Sequence, residues 1–129
     1  MNPNLTELLE HTEAIMAGRA NGWHADPALI SASGEYRGAL HVGVDLGTAY
    51  TVLTVLDEGY QPIAGAYQFA QIVRDGLIVD YMGAVELLRR LKRRVEAKLG
   101  FELNSAASAY PPGVPMGEVR ATANVLEAA

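Results

Sequence analysis

The spacing of apolar positions changes character along the chain, and each change marks a predicted element. Near the start, Leu5, Leu8, Leu9, Thr12 and Met16 recur at three-to-four spacing, the period of a helix with one apolar face. Asn4, with Glu7 three positions later, supplies an N-cap signal, and Gly18 and Gly22 bracket the end of that helix. Residues 19–38 hold no sustained period and contain Pro27, Ser31, Ser33 and Gly34, which predicts a linker with Trp23 as its one large apolar anchor. The period then becomes two. Val42, Val44 and Leu46 alternate along residues 40–46, a β-branched run follows at 51–56, and a third apolar stretch covers 63–70 beyond a turn at 57–62. Three strands of this length with short links predict an antiparallel meander.

Helical spacing returns after Arg74, Asp75 and Gly76 and the short run 77–79. Asp80 stands where a cap belongs, and residues 81–99 are predicted as a helix whose buried stripe is Met82, Val85, Leu88, Leu91, Val95 and Leu99, stopped by Gly100. Residues 103–110 read as a fourth strand of small residues, ended by Pro111 and Pro112, which cannot donate to a sheet ladder. A second helix is expected over 117–128. The order β-β-β-α-β-α makes this an α/β chain with a mixed sheet. It is the order of an RNase H-like unit that lacks its last strand and helix. The expected division is 1–37 as amphipathic helix and linker, and 38–129 as the globular part.

Composition narrows the class. The chain has 129 residues, half of them hydrophobic, which suits a single folded domain and not a disordered segment. No run approaches the about 18 apolar residues of a membrane span, and Glu7 and Glu10 stand where a signal peptide would be basic. Cysteine is absent, which removes disulfides, thiolate zinc sites and a cysteine nucleophile and fits a reducing, cytoplasmic compartment. A net charge of −5 argues against nucleic acid as the main partner.

The candidate chemistry sits in VGVDLGTAYTVLTV, residues 42–55. Asp45 ends one predicted strand, Gly47, Thr48, Ala49 and Tyr50 make a small-residue turn, and the next strand begins at once. A glycine there lets backbone amides approach a phosphate, Thr48 and Thr51 offer hydroxyls, and Asp45 can hold magnesium through water. The same pattern also describes a plain hairpin, and these residues alone leave both readings open. His11, His24 and His41 are too scattered for a metal site, and the six tyrosines show no stripe.

VGVDLGTAYT resembles the first phosphate motif of the actin, sugar-kinase and DnaK-type chaperone ATPase superfamily. VRDGLIVDY, residues 73–81, is similar to the segment leading into the first helix of bacterial actin-like proteins. VRDGLIVDYMGAVELLRRL, SAASAYPPG at 105–113 and NVLEAA from Asn124 resemble the ethanolamine-utilization chaperonin-like family of bacterial microcompartment operons. That resemblance runs from about Gly38 to Ala129. It implies an actin-like ATPase subdomain in which Asp45 faces the magnesium of bound ATP and Gly47, Thr48, Ala49 and Tyr50 lie against its phosphates. The family commonly has a hydroxyl residue where Ala49 stands. The second phosphate loop and the adenosine motif are absent from the sequence, so no catalytic residue is assigned and no turnover is expected from this chain by itself.

The resemblance sets the other expectations. Partners would be microcompartment shell or enzyme client proteins and the second half of the ATPase fold, and the N-terminal helix is similar to encapsulation tags. A nuclease would need carboxylates converging on metal, for which only Asp45 and Glu86 are candidates. The run Arg89, Arg90, Leu91, Lys92, Arg93, Arg94 holds five of the ten basic residues. Without interleaved aromatic residues it reads as a solvated helix face that pairs with Glu86 and Glu96. The fourth strand's outer edge is expected to be unpaired, which favours self-association.

Overall fold

The computed structural model describes residues 38–129, together with the single helical positions Thr6 and Glu10. The expected N-terminal helix, linker and encapsulation tag lie outside the described residues. Three consecutive strands, β1 (His41–Leu46), β2 (Tyr50–Leu56) and β3 (Pro62–Phe69), form the predicted meander. β1 and β2 pair from His41 opposite Leu56 to Leu46 opposite Thr51, and β2 pairs with β3 from Tyr50 opposite Phe69. The Asp57 side chain organises the second turn, its Oδ1 accepting from the amides of Gly59 at 2.8 Å and Gln61 at 2.9 Å. That is the local work of an Asx turn.

Because side chains alternate across a strand, this register sorts the sheet into two faces. Val44, Leu53, Val55, Ala64 and Ala66 are buried on one face against the first helix, α1 (Tyr81–Leu99). His41, Gly43, Asp45, Val52, Tyr50 and Tyr67 belong to the other. α1 buries Ala84, Val85, Leu87, Leu88, Leu91, Val95 and Leu99. Met82, expected in that stripe, is 61% exposed: it lies in the first turn, beyond the reach of the sheet, and Ala84 and Leu87 take the inward positions. The helix ends are as predicted. Asp80 Oδ1 accepts from the Gly83 amide at 2.9 Å, and Gly100 closes the last turn with φ 81°, its amide donating to the Glu96 carbonyl at 2.8 Å.

Two departures from expectation matter. The segment before α1 is a small hairpin, β4 (Val73–Arg74) with β5 (Leu77–Ile78), turned by Asp75 at φ 51° and Gly76 at φ 77°. The predicted fourth strand shrinks to β6 (Ala107–Ser108), which pairs in parallel with Gly43 and Val44 of β1. Residues 103–106 turn aside because the Leu103 amide is claimed by the Glu96 carboxylate at 2.7 Å, which ties the chain to the end of α1 before it can join the ladder. The sheet order is β3-β2-β1-β6, and α2 (Met116–Ala128) follows. Two bonds from the Arg89 guanidinium to the Ala128 carbonyl, at 2.6 and 3.2 Å, fix its C-terminal end, where a cation suits the helix dipole. No described helix is long and apolar enough to cross a membrane.

Candidate functional site

The first hairpin tip is built by backbone geometry. The Gly47 amide donates to the Tyr50 carbonyl at 3.0 Å, and a Cβ added to Gly47 would stand 2.7 Å from that same oxygen. Only glycine closes this turn without displacing backbone. The Ala70 amide donates to the Ala49 carbonyl at 2.9 Å, which ties the tip to the end of β3. The amides of Thr48 and Ala49 have no acceptor among the described residues, and both residues are exposed. Two neighbouring free N–H groups on a glycine turn are a donor set for an anionic oxygen.

Asp45 stands one residue before Leu46 on the sheet face turned away from α1, and it is exposed. It lines an open groove of about 430 Å³ with Gly43, Val52, Thr54, Ala107 and Ala109. The polar residues in its lining are Asp45, Thr54 and Ser108. A Cβ on Gly43 would meet nothing within 4 Å, so the groove floor is open above β1. Among the described residues no three His, Cys, Asp or Glu side chains gather to hold a bare ion. A single carboxylate suits a magnesium ion that arrives on phosphates with its own water shell, because magnesium keeps most of its waters and takes one or two protein oxygens.

Thr51, considered above as a hydroxyl donor, is fully buried on the α1 face opposite Leu46, and its Oγ1 has no partner among the described residues. It points away from the tip. Tyr50 is 48% exposed, and its ring packs against Tyr67 at 5.8 Å and Phe69 at 5.6 Å between centroids. These rings form a cluster that the spacing of tyrosines along the sequence did not reveal. The signal was Tyr67 and Phe69 at period two on the strand that pairs with Tyr50. His41 stacks on Tyr60 at 4.5 Å at the other end of β1.

Asp45 and Glu86 do not converge: the first faces away from α1, and the second is exposed on α1 itself, across the sheet. The basic run divides by contact. Arg89 holds the end of α2, Lys92 reaches Glu96 at 3.7 Å, and Arg90, Arg93 and Arg94 are exposed with no partner among the described residues.

No protein-family model matches the chain. The ethanolamine utilization protein EutJ of Salmonella typhimurium is 43% identical over 90 residues, which cover 70% of this chain and 31% of that protein. EutJ of Escherichia coli is 41% identical over the same shares. The crystal structure of EutJ from Carboxydothermus hydrogenoformans matches with a TM-score of 0.80 and 38% identity, covering 98% of this chain and 43% of that one. The chain thus spans about a third of the curated relatives it matches. Its fold is part of the actin-like ATPase fold.

Proposed function

Because the chain belongs to the EutJ family of ethanolamine utilization proteins, we propose that it is the N-terminal portion of a chaperonin-like, actin- and DnaK-type ATPase-fold protein whose β1–β2 hairpin is the first phosphate-binding element for Mg–ATP. One observation carries the reading: the free amides of Thr48 and Ala49 share a hairpin tip with the exposed carboxylate of Asp45. Those amides, with the Thr48 hydroxyl, would bind phosphate oxygens, and Asp45 would hold a water of the bound magnesium. Gly47 shapes the turn, and its own amide stays within it. The Tyr50 ring, fixed by Tyr67 and Phe69, sets the position of the strand behind the tip. Bound magnesium would supply charge neutralisation at the phosphates.

The tip supplies one side of a nucleotide site, and one-sided contacts must offset the full entropy of fixing the ligand, so binding through these residues alone is weak. The second half of the ATPase fold is its partner in catalysis. The names of the relatives support a place in ethanolamine utilization. Cytoplasmic residence in association with a bacterial microcompartment, with shell or enzyme proteins as clients, completes the reading. A second reading is a non-catalytic assembly module, favoured by the exposure of Leu77, Val79, Met82 and Met116 around β5 and the two helix starts.

Titrating the ¹⁵N-labelled chain with Mg–ATP separates the two. The amide signals of Thr48 and Ala49 should move and saturate in the millimolar range, and Asp45→Ala should abolish the magnesium dependence of that shift. Shifts absent from the tip, or confined to the arginines of α1, would remove the phosphate reading and leave the assembly module.

A further inference from the structure

The cations of α1 divide into engaged and free. Arg89 holds the Ala128 carbonyl, and Lys92 reaches the Glu96 carboxylate, which also accepts from the Leu103 amide. Arg90, Arg93, Arg94 and Lys98 are exposed and meet no carboxylate among the described residues. Glu86 stands one turn before Arg90, in the order that favours a helix ion pair, yet the two form none. The free cations work against the helix that carries them. Arg90, Arg94 and Lys98 repeat at i, i+4, and Arg90 and Arg93 at i, i+3, the spacings at which like charges repel. The helix dipole favours cations in the last turn, which accounts for Lys98 and not for three arginines in mid-helix. Ala97 lies among them, exposed and small, and leaves room for another backbone to approach.

We propose that Arg90, Arg93, Arg94 and Lys98 form a docking surface for a short acidic segment of another protein, one that presents carboxylates about one helical turn apart. The helix rises ~6 Å from Arg90 to Arg94 and ~12 Å from Arg90 to Lys98, so carboxylates on successive turns of a partner helix each meet a cation. A guanidinium takes a carboxylate through two parallel N–H donors, which an ammonium cannot do. The surroundings select the occupant. No aromatic side chain stands among residues 89–98, so unpaired bases have nothing to stack on. Leu91 and Val95, the large apolar side chains there before Leu99, are buried, so the stripe has nothing to insert into a lipid surface. Exposed Glu86 and Glu102 stand beyond its two ends and repel a long polyanion that runs past them, whereas a segment of two turns fits between. The stripe is the outer side of a helix whose inner side is filled by the meander, and no strand edge contributes to it. Nucleotide binding does not enter either, because Asp45 lies on the sheet face turned away from α1.

The test uses a fluorescein-labelled, alanine-based helical peptide with glutamates at i, i+4 and i+8, read by fluorescence anisotropy at low ionic strength. It should bind the chain in the micromolar range, and its glutamine counterpart should not bind. Arg93→Gln combined with Arg94→Gln should weaken binding about tenfold. Arg74→Gln combined with Arg120→Gln removes the same charge from exposed positions elsewhere and should change binding less than about twofold. All four positions are exposed, so the circular dichroism spectrum of each variant should match that of the parent chain. Absence of binding, equal weakening by the two double variants, or tighter binding to a short DNA duplex or to phosphatidylserine vesicles than to the peptide overturns the proposal.

Discussion

The meander with α1 and the segment formed by β6 and α2 are the same chain folded under different rules. In the first, each strand pairs with the next through a short turn, every ladder closes locally, and α1 presses seven buried side chains onto one sheet face. In the second, a strand of two residues returns by a crossover, pairs on one edge, and is followed by a helix with a single buried residue. An open pocket of about 380 Å³ is lined by Val42, Val44, Leu88 and Leu103 together with Leu126 and Glu127 of α2. The contrast teaches that strands joined by short turns build long ladders with their neighbours in sequence, whereas β6 pairs with β1 over two residues and α2 is anchored by a single buried side chain.

If stability is concentrated in the first region, truncating its core must cost more than truncating the second. Leu91, fully buried at the centre of α1, should lose about 3 kcal/mol as Leu91→Ala. Val125→Ala, at the one anchor of α2, should lose about 1.5 kcal/mol, near the transfer term for two methyl groups with little cavity strain. Urea denaturation measures both, and equal losses would break the contrast by making α2 an integral part of the core. Gly47→Ala should fall between them at about 2 kcal/mol, because its Cβ meets the Tyr50 carbonyl and the turn must open. A loss near zero would mean that the tip tolerates another conformation.

The first region was also the more legible one. Period-two alternation placed β1 to β3 within a residue of their ends, and Asp80 and Gly100 bounded α1 correctly, because local signals govern local closure. The β4–β5 hairpin went unread although Asp75-Gly76 carries the turn signal, since two-residue strands are too short to show alternation. β6 was read too long: nothing in residues 103–110 announces that Glu96, seven residues before Leu103, will claim its amide. At the site, Asp45 and the turn were visible as a motif. The engagement of the Gly47 amide and the burial of Thr51 depended on register, which no single strand reveals.

The two helix starts refine the comparison at the smallest scale. α1 begins on a side-chain cap, whereas α2 begins after Pro115 with no side-chain bond at its N-terminus. Replacing glycine by alanine inside a helix gains up to about 1 kcal/mol. At Gly117 an added Cβ meets nothing within 4 Å, so Gly117→Ala should raise stability by about 0.5 kcal/mol. At Gly83 the same Cβ would occupy the place of the Asp80 carboxylate, so the gain is offset by a cap worth about 1 kcal/mol and Gly83→Ala should be nearly neutral. The cancellation is testable. In an Asp80→Ala background there is no cap left to displace, and Gly83→Ala should then stabilise by about 1 kcal/mol in thermal melts. Equal stabilisation in both backgrounds would show that α1 does not rest on its cap, and that its advantage over α2 comes from packing alone.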